Sequence, residues 1–154
     1  VAAERAGVDG LLTVDLPPEE AGELDEELKS RGLSNIFLIA PTTTDERAAE
    51  VVKLGSGFIY YVSLKGVTGS GNLDVDAVAE KLTQLRQMTD LPLCVGFGIK
   101  DAESAKAVAA NGDGAIVGSL LVNKMGQMAD AKAEDIAAAV AELITPIRIG
   151  LDEL

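Results

Sequence analysis

The sequence predicts an α/β fold in which a parallel sheet is covered by helices. Short apolar, β-branched runs alternate with amphipathic stretches along the chain, five times over. The runs are continuously apolar rather than alternating, the pattern of strands buried on both faces. Successive units recur about every 20–35 residues in architecture though not in sequence. Two closures satisfy this pattern: an open doubly wound sheet, or part of an eight-stranded barrel. A whole barrel typically takes about 250 residues, more than the 154 present.

The elements follow in order. Ala2, Ala3, Glu4, Arg5 and Ala6 are good helix formers, and Gly7 is placed to end a helix, so the chain reads as opening inside one. The first strand is expected over 11–16. Pro17 and Pro18 then lead an acidic helix to about Lys29, with Glu19 and Glu20 suited to its first turn. A second strand over 36–40 precedes Pro41 and the threonines 42–44, which can cap a helix over 45–54. A third strand over 58–63 and a Gly-rich stretch lead to a helix around 75–87. The fourth strand spans 93–97, followed by a helix over about 102–110. The fifth spans 115–117, and 119–124 and 136–144 are the last helical pieces.

Composition narrows the function. Thirteen Lys and Arg stand against 25 Asp and Glu, a formal net charge of −12. Such a chain repels nucleic-acid backbones and anionic membranes, so any anion site must be built locally from backbone N–H groups. There is no His and a single Cys94, which excludes a disulfide framework, the usual zinc sites and a catalytic histidine. The apolar runs are too short to cross a membrane, and no signal peptide is recognised. The expectation is a cytoplasmic, single-domain protein over 1–154.

In both closures ligands bind at the carboxyl ends of the strands. Gly96 and Gly98 flank the end of the fourth strand, and Gly118 and Ser119 open a helix after the fifth. Glycines let a backbone approach an anion closely, and free N–H groups at a helix N-terminus bind phosphate without cationic side chains. The loop after the third strand, residues 63–72, has three glycines and the composition either of a closing lid or of a plain connection. Asp15, at a strand end, either serves a substrate or caps the next helix. Tyr60 and Tyr61 lie on opposite faces of one strand, so only one can face a barrel interior. Cys94 reads as an inert buried thiol. Phe97 either walls an apolar pocket or packs, and the acidic helix reads as a solvated face.

Taken together, the segments AGVDGLLTVDLP, IFLIAPTTTDER, GFIYYVSLKGVTGSG, VGFGIKDAESA and DGAIVGSLLV, in this order and spacing, closely resemble the tryptophan synthase α subunit family. The resemblance covers nearly the whole chain but only the later part of the family's sequence. It implies a TIM (β/α)8 barrel of which this chain supplies five βα units, strands four to eight. The family cleaves indole-3-glycerol phosphate to indole and glyceraldehyde 3-phosphate by a retro-aldol reaction without metal or organic cofactor, and delivers indole to a β subunit in an α2β2 assembly.

Carried over position by position, the resemblance places Gly96, Phe97, Gly98, Gly118 and Ser119 in phosphate-site motifs, with Phe97 also near the indole. It gives Gly69 the closing of the phosphate side and Thr68 the lid contact to a catalytic aspartate. Tyr60 stands beside the active centre, Leu12, Val14 and Ile39 line the indole pocket, and Asp15 lies near the β-subunit contact. Leu64 and Phe58 depart from relatives that have Arg and Tyr there. The family's two catalytic carboxylates belong to earlier segments absent from this sequence, so the expectation is a chain inactive by itself, with self-association possible through open strand edges. Other phosphate-binding barrels, such as phosphoribosyl-anthranilate isomerase or indole-glycerol-phosphate synthase relatives, and a non-catalytic phosphate-binding βα domain are the competing readings.

Overall fold

The computed structural model describes residues 1–63, 75–96 and 98–154. Ala2–Arg5 (α1) forms a single helical turn ahead of Gly7. The first strand, Gly10–Leu12 (β1), is shorter than the sequence suggests because its ladder with the next strand covers only these residues. The chain turns at Val14 and Asp15, and the two prolines beyond lack the N–H groups that would prolong a strand. The acidic stretch divides into a 3₁₀ turn, Pro18–Glu20, and a helix, Gly22–Ser30 (α2).

The remaining units follow the expected rhythm: β2 (Ser34–Ile39), α3 (Asp45–Leu54), β3 (Ile59–Val62), α4 (Val75–Arg86), β4 (Leu93–Gly96), α5 (Ala102–Ala109), β5 (Gly114–Ile116), α6 (Ser119–Gln127) and α7 (Ala133–Leu151). Local chemistry sets several boundaries. The Arg47 N–H donates to Thr44 Oγ1 at 3.3 Å, capping α3. Asp101 and Ser104 form a reciprocal capping box at α5. The last helix runs through Pro146 instead of stopping before it. A proline costs an internal hydrogen bond, but Ile147 and Gly150 beyond it are buried. A Cβ on Gly150 would lie 3.2 Å from Ala102 Cβ, so α7 rests closely on α5. Tertiary packing overrides the local breaker.

All five strands are parallel and adjacent in chain order, β1-β2-β3-β4-β5. A doubly wound sheet reverses its strand order at a switch point, so the sequential order selects the barrel-type closure. Right-handed crossovers in one direction put the helices that connect the strands on the same face. That face holds the core: Phe37, Ile39, Ile59, Tyr61, Leu93 and Val95 pack against Val51, Val78, Leu82, Leu85, Ala105 and Val108 of the helices. The other face carries Leu12, Ile36, Leu38, Tyr60, Val62, Cys94 and Ile116, fixed by the register of the ladders. It is only partly covered, as the alternating burial of β2 and β3 records. The continuous apolar runs therefore overstate burial here, because an eight-stranded barrel fills its interior with side chains from all its strands and five leave that face open.

Asn35 and Asp25 are two of the three buried polar residues among those described, the third being Ser63 after β3. Asn35 is 1% exposed and its side-chain amide has no partner. Asp25, on the helix read from sequence as a solvated face, is buried, accepting from Lys29 Nζ at 2.7 Å with one oxygen and leaving Oδ1 unpaired. A single turn of that helix thus points its carboxylate inward.

Candidate functional site

The carboxyl ends of β3, β4 and β5 lie side by side, which brings the predicted glycine loops to one rim. Gly96 ends β4. A Cβ placed there would fall 2.3 Å from both Cε2 and the hydroxyl of Tyr60, so only glycine admits the ring at this spot. Tyr60 faces the inner side and Tyr61 the helices, as the parity of a strand requires. Burial raises the Tyr60 phenol above its ordinary value, so it stays a neutral donor and acceptor at neutral pH.

Two residues beyond Gly96 the chain turns at Gly98, whose φ of +74° suits glycine. Gly98 is exposed, and nothing lies within 4 Å of where its Cβ would be. Ile99, buried behind it, anchors the turn. On the neighbouring unit Gly118 is the N-cap of α6, and both Gly118 and Ser119 are exposed. The N–H groups of Leu121 and Val122 return to the Gly118 carbonyl at 3.0 and 3.1 Å. No side chain caps this helix, and its first turn has no acidic residue. The contrast with α5 is chemical. There Asp101 occupies the N-terminus, its carboxyl held below the ordinary value by the hydrogen bonds it accepts from Ser104.

The remaining predicted residues separate. Leu12 and Val14 are 38% and 68% exposed, and Asp15 is exposed in the turn after β1. Asp15 caps neither the 3₁₀ turn nor α2, which removes that alternative. Val14 and Asp15 border a cleft of about 320 Å³ shared with Leu38, Thr43 and Arg47. Ile39 stands apart from Leu12 and Val14, with which the resemblance grouped it. It pairs with Tyr61, and both are buried under the helices, because the pleat gives Leu38 and not Ile39 the face of Tyr60. Thr68, Gly69 and Phe97 lie outside the described residues, as does Leu64.

Cys94 is in register with Tyr60 on the inner face and is half-buried, not enclosed as the sequence suggested. Burial, helped by the nearby Asp113 charge, pushes its thiol up, so it is a poor nucleophile. Asp113 itself is subject to a burial effect that raises its pKa, but hydrogen bonds from Arg86 and the Leu93 N–H outweigh it and leave the carboxyl below its ordinary value. Sequence reasoning passed over Asp113 and Ser63. Ser63 is 8% exposed and donates from both its N–H and its hydroxyl to the Gly96 carbonyl, at 3.0 and 3.1 Å. A polar residue at the end of an apolar strand was the available signal for it. Among the described residues, no group of three or more Cys, Asp and Glu is arranged to hold a metal, and no helix is long and apolar enough to cross a membrane.

Comparison with known proteins gives one answer. The sequence profile of the tryptophan synthase alpha chain matches residues 1–147. The tryptophan synthase alpha chain of Chromobacterium violaceum is 54% identical over 147 residues, covering 95% of this chain and 56% of its own length. That of Thioalkalivibrio sulfidiphilus is 53% identical over 152 residues, covering 99% and 57%. Among solved structures, tryptophan synthase subunit alpha of Legionella pneumophila superposes with a TM-score of 0.80 at 36% identity, over 99% of this chain and 55% of that one. The tryptophan synthase α2β2 complex of Pyrococcus furiosus gives 0.78 at 34% identity, over 93% and 58%. The chain thus spans about half the length of the relatives it matches, and its five sequential βα units are a part of their barrel. With a profile match over nearly all its length and this architecture, the chain belongs to the tryptophan synthase alpha chain family.

Proposed function

We propose that this chain supplies the phosphate-holding end of the site in which the whole tryptophan synthase alpha chain cleaves indole-3-glycerol phosphate to indole and glyceraldehyde 3-phosphate, a step of tryptophan biosynthesis. The observation that supports this most is the exposed glycine turn at Gly98 next to the uncapped N-terminus of α6 at Gly118 and Ser119. A phosphate there is held by backbone N–H groups and the positive end of the helix dipole. This is how a chain of net charge −12 accepts an anion without a cationic cluster. In this reading Phe97 serves both the phosphate turn and the indole ring. Gly69 and Thr68 close over the substrate from the loop after β3, and Tyr60, Leu12 and Val14 bound the apolar side.

In the cleavage the carbon–carbon bond gives its electron pair to the indole ring, which takes a proton at C3. The glycerol hydroxyl gives up a proton and becomes the aldehyde. Each positioned acid or base contributes on the order of 10²–10⁴-fold. This chain has no His, and the family's catalytic Glu and Asp belong to segments it does not contain. It therefore binds the phosphate end and does not by itself cleave. The β subunit is the partner, met near the exposed Asp15 turn, and the protein works in the cytoplasm. Among the described residues the outer edges of β1 and β5 have no neighbouring strand, and open edges invite pairing, so in this reading the isolated chain self-associates through them.

Titration calorimetry with glycerol 3-phosphate, paired with an indole-release assay, tests this. Saturable binding without indole release is expected. Indole release by the 154-residue chain alone refutes the inactivity, and absence of binding up to millimolar ligand refutes the phosphate site.

A further inference from the structure

We infer that Ser63 is a positioning residue for the anion site, setting the backbone at the end of β4 through its hydrogen bonds to Gly96; this rests on the phosphate reading above. Ser63 follows the last residue of β3 and is 8% exposed. Its N–H donates to the Gly96 carbonyl at 3.0 Å, and its hydroxyl donates to the same oxygen at 3.1 Å. A carbonyl has two lone pairs, and here both are taken by one residue. The N–H bond alone would satisfy that carbonyl, so the hydroxyl is not required to avoid an unpaired group. What it adds is direction. From the inner side the Tyr60 ring leaves no room for a Cβ on Gly96, so the residue is gripped from both faces of the sheet. Because a peptide unit is planar, fixing this carbonyl fixes the plane in which β4 ends, two residues before Gly98. Gly98 is the turn that stands beside the N-terminus of α6. Groups already set in the bound geometry lose less freedom when a ligand arrives, so a hydroxyl that never touches the phosphate still contributes to its affinity.

The test uses the 154-residue chain and its Ser63→Ala, Ser63→Thr and Ser63→Cys variants, titrated with glycerol 3-phosphate and followed in parallel by urea unfolding. Ser63→Ala is expected to bind about three- to tenfold more weakly, with an unfolding midpoint lowered by no more than the loss of one intramolecular hydrogen bond accounts for. Ser63→Thr, which keeps the hydroxyl, restores the affinity. Ser63→Cys, near in size but a weak donor, falls between and takes the place of Ser63→Ala if that variant folds poorly. In ligand-free NMR spectra the Gly98 amide resonance shifts in Ser63→Ala and not in Ser63→Thr. A parent chain that fails to bind glycerol 3-phosphate overturns the phosphate reading and this inference with it. A parent that binds, with Ser63→Ala binding equally well, overturns the role of Ser63 alone. Equal weakening by Ala and Thr also overturns it, since the hydroxyl is then not the cause.

Discussion

Replacing Gly96 with alanine forces a conflict whose size follows from the geometry. The added Cβ would sit 2.3 Å from Cε2 and the hydroxyl of Tyr60 and 2.6 Å from Cζ. Removing the hydroxyl alone does not clear it, because the ring carbons lie equally near, so the whole ring must swing or the strand end must move. Overpacking of this kind costs about 1–3 kcal/mol, or roughly 2–4 °C of melting temperature per kcal/mol for a domain of this size. The decisive measurement is a double-mutant cycle in urea, followed by circular dichroism, on the parent, Gly96→Ala, Tyr60→Ala and the double variant. Tyr60→Ala removes the obstacle, so the Gly96→Ala penalty should largely vanish in its background, giving a coupling of about 1–2 kcal/mol, in the range for residues in direct contact. Tyr60→Phe should leave the penalty in place. Additivity within about 0.5 kcal/mol, the behaviour of independent sites, would show that the ring does not occupy the space above Gly96 and would refute the argument.

Three other outcomes follow from the same geometry. Asp113→Asn should destabilise the fold by about 0.5–1 kcal/mol at neutral pH, the scale of a solvent-screened charge pair with one backbone hydrogen bond. Because the folded-state pKa of Asp113 lies below its ordinary value of 3.8, the parent's advantage is fully present above that value and disappears as pH falls through the folded pKa, which urea titrations between neutral and strongly acidic pH will read. Gly98→Ala should cost about 1 kcal/mol, since φ is +74° and the penalty is conformational, whereas Gly118→Ala, at φ −119° with open space around it, should fall within about 0.5 kcal/mol of the parent; equal effects in chemical denaturation would contradict the assigned backbone. The Cys94 thiol, held above its ordinary pKa by burial and Asp113, should react with iodoacetamide more slowly in the native chain than in urea at mildly alkaline pH, and equal rates would show that it is not sheltered.

The sequence was most legible where structure is decided locally. The helix over 45–54 appears with those bounds because Thr44 caps it and Asp45 and Glu46 suit its first turn. The opposite faces of Tyr60 and Tyr61 needed only the strand period. Legibility fell where a partner elsewhere decides. The strand read over 11–16 lasts only as long as its ladder with β2. The last helix passes Pro146 because α5 holds its far end. Asp25 looked like one more surface carboxylate, yet it is buried and paired with Lys29. At the site, the glycines of the fourth and fifth units stood out in the sequence; the positive φ of Gly98 and the Tyr60 ring over Gly96 call for glycine, whereas Gly118 at φ −119° does not. Ser63 did not stand out, because its meaning lies in a hydrogen bond to a residue 33 positions away. Ile39, grouped by the resemblance with Leu12 and Val14, lies on the opposite face of the sheet from Leu12, because a one-residue step along a pleat changes the face.

The alternation along β3 divides the labour of four consecutive residues. Ile59 and Tyr61 belong to the layer that keeps the chain folded, while Tyr60 and Val62 stand on the opposite, partly open face. An engineer can treat the strand as two interleaved design problems. A library randomised at 60 and 62 should yield mostly folded proteins with altered ligand preference. One randomised at 59 and 61 should yield mostly unfolded proteins, with the few survivors keeping the original preference.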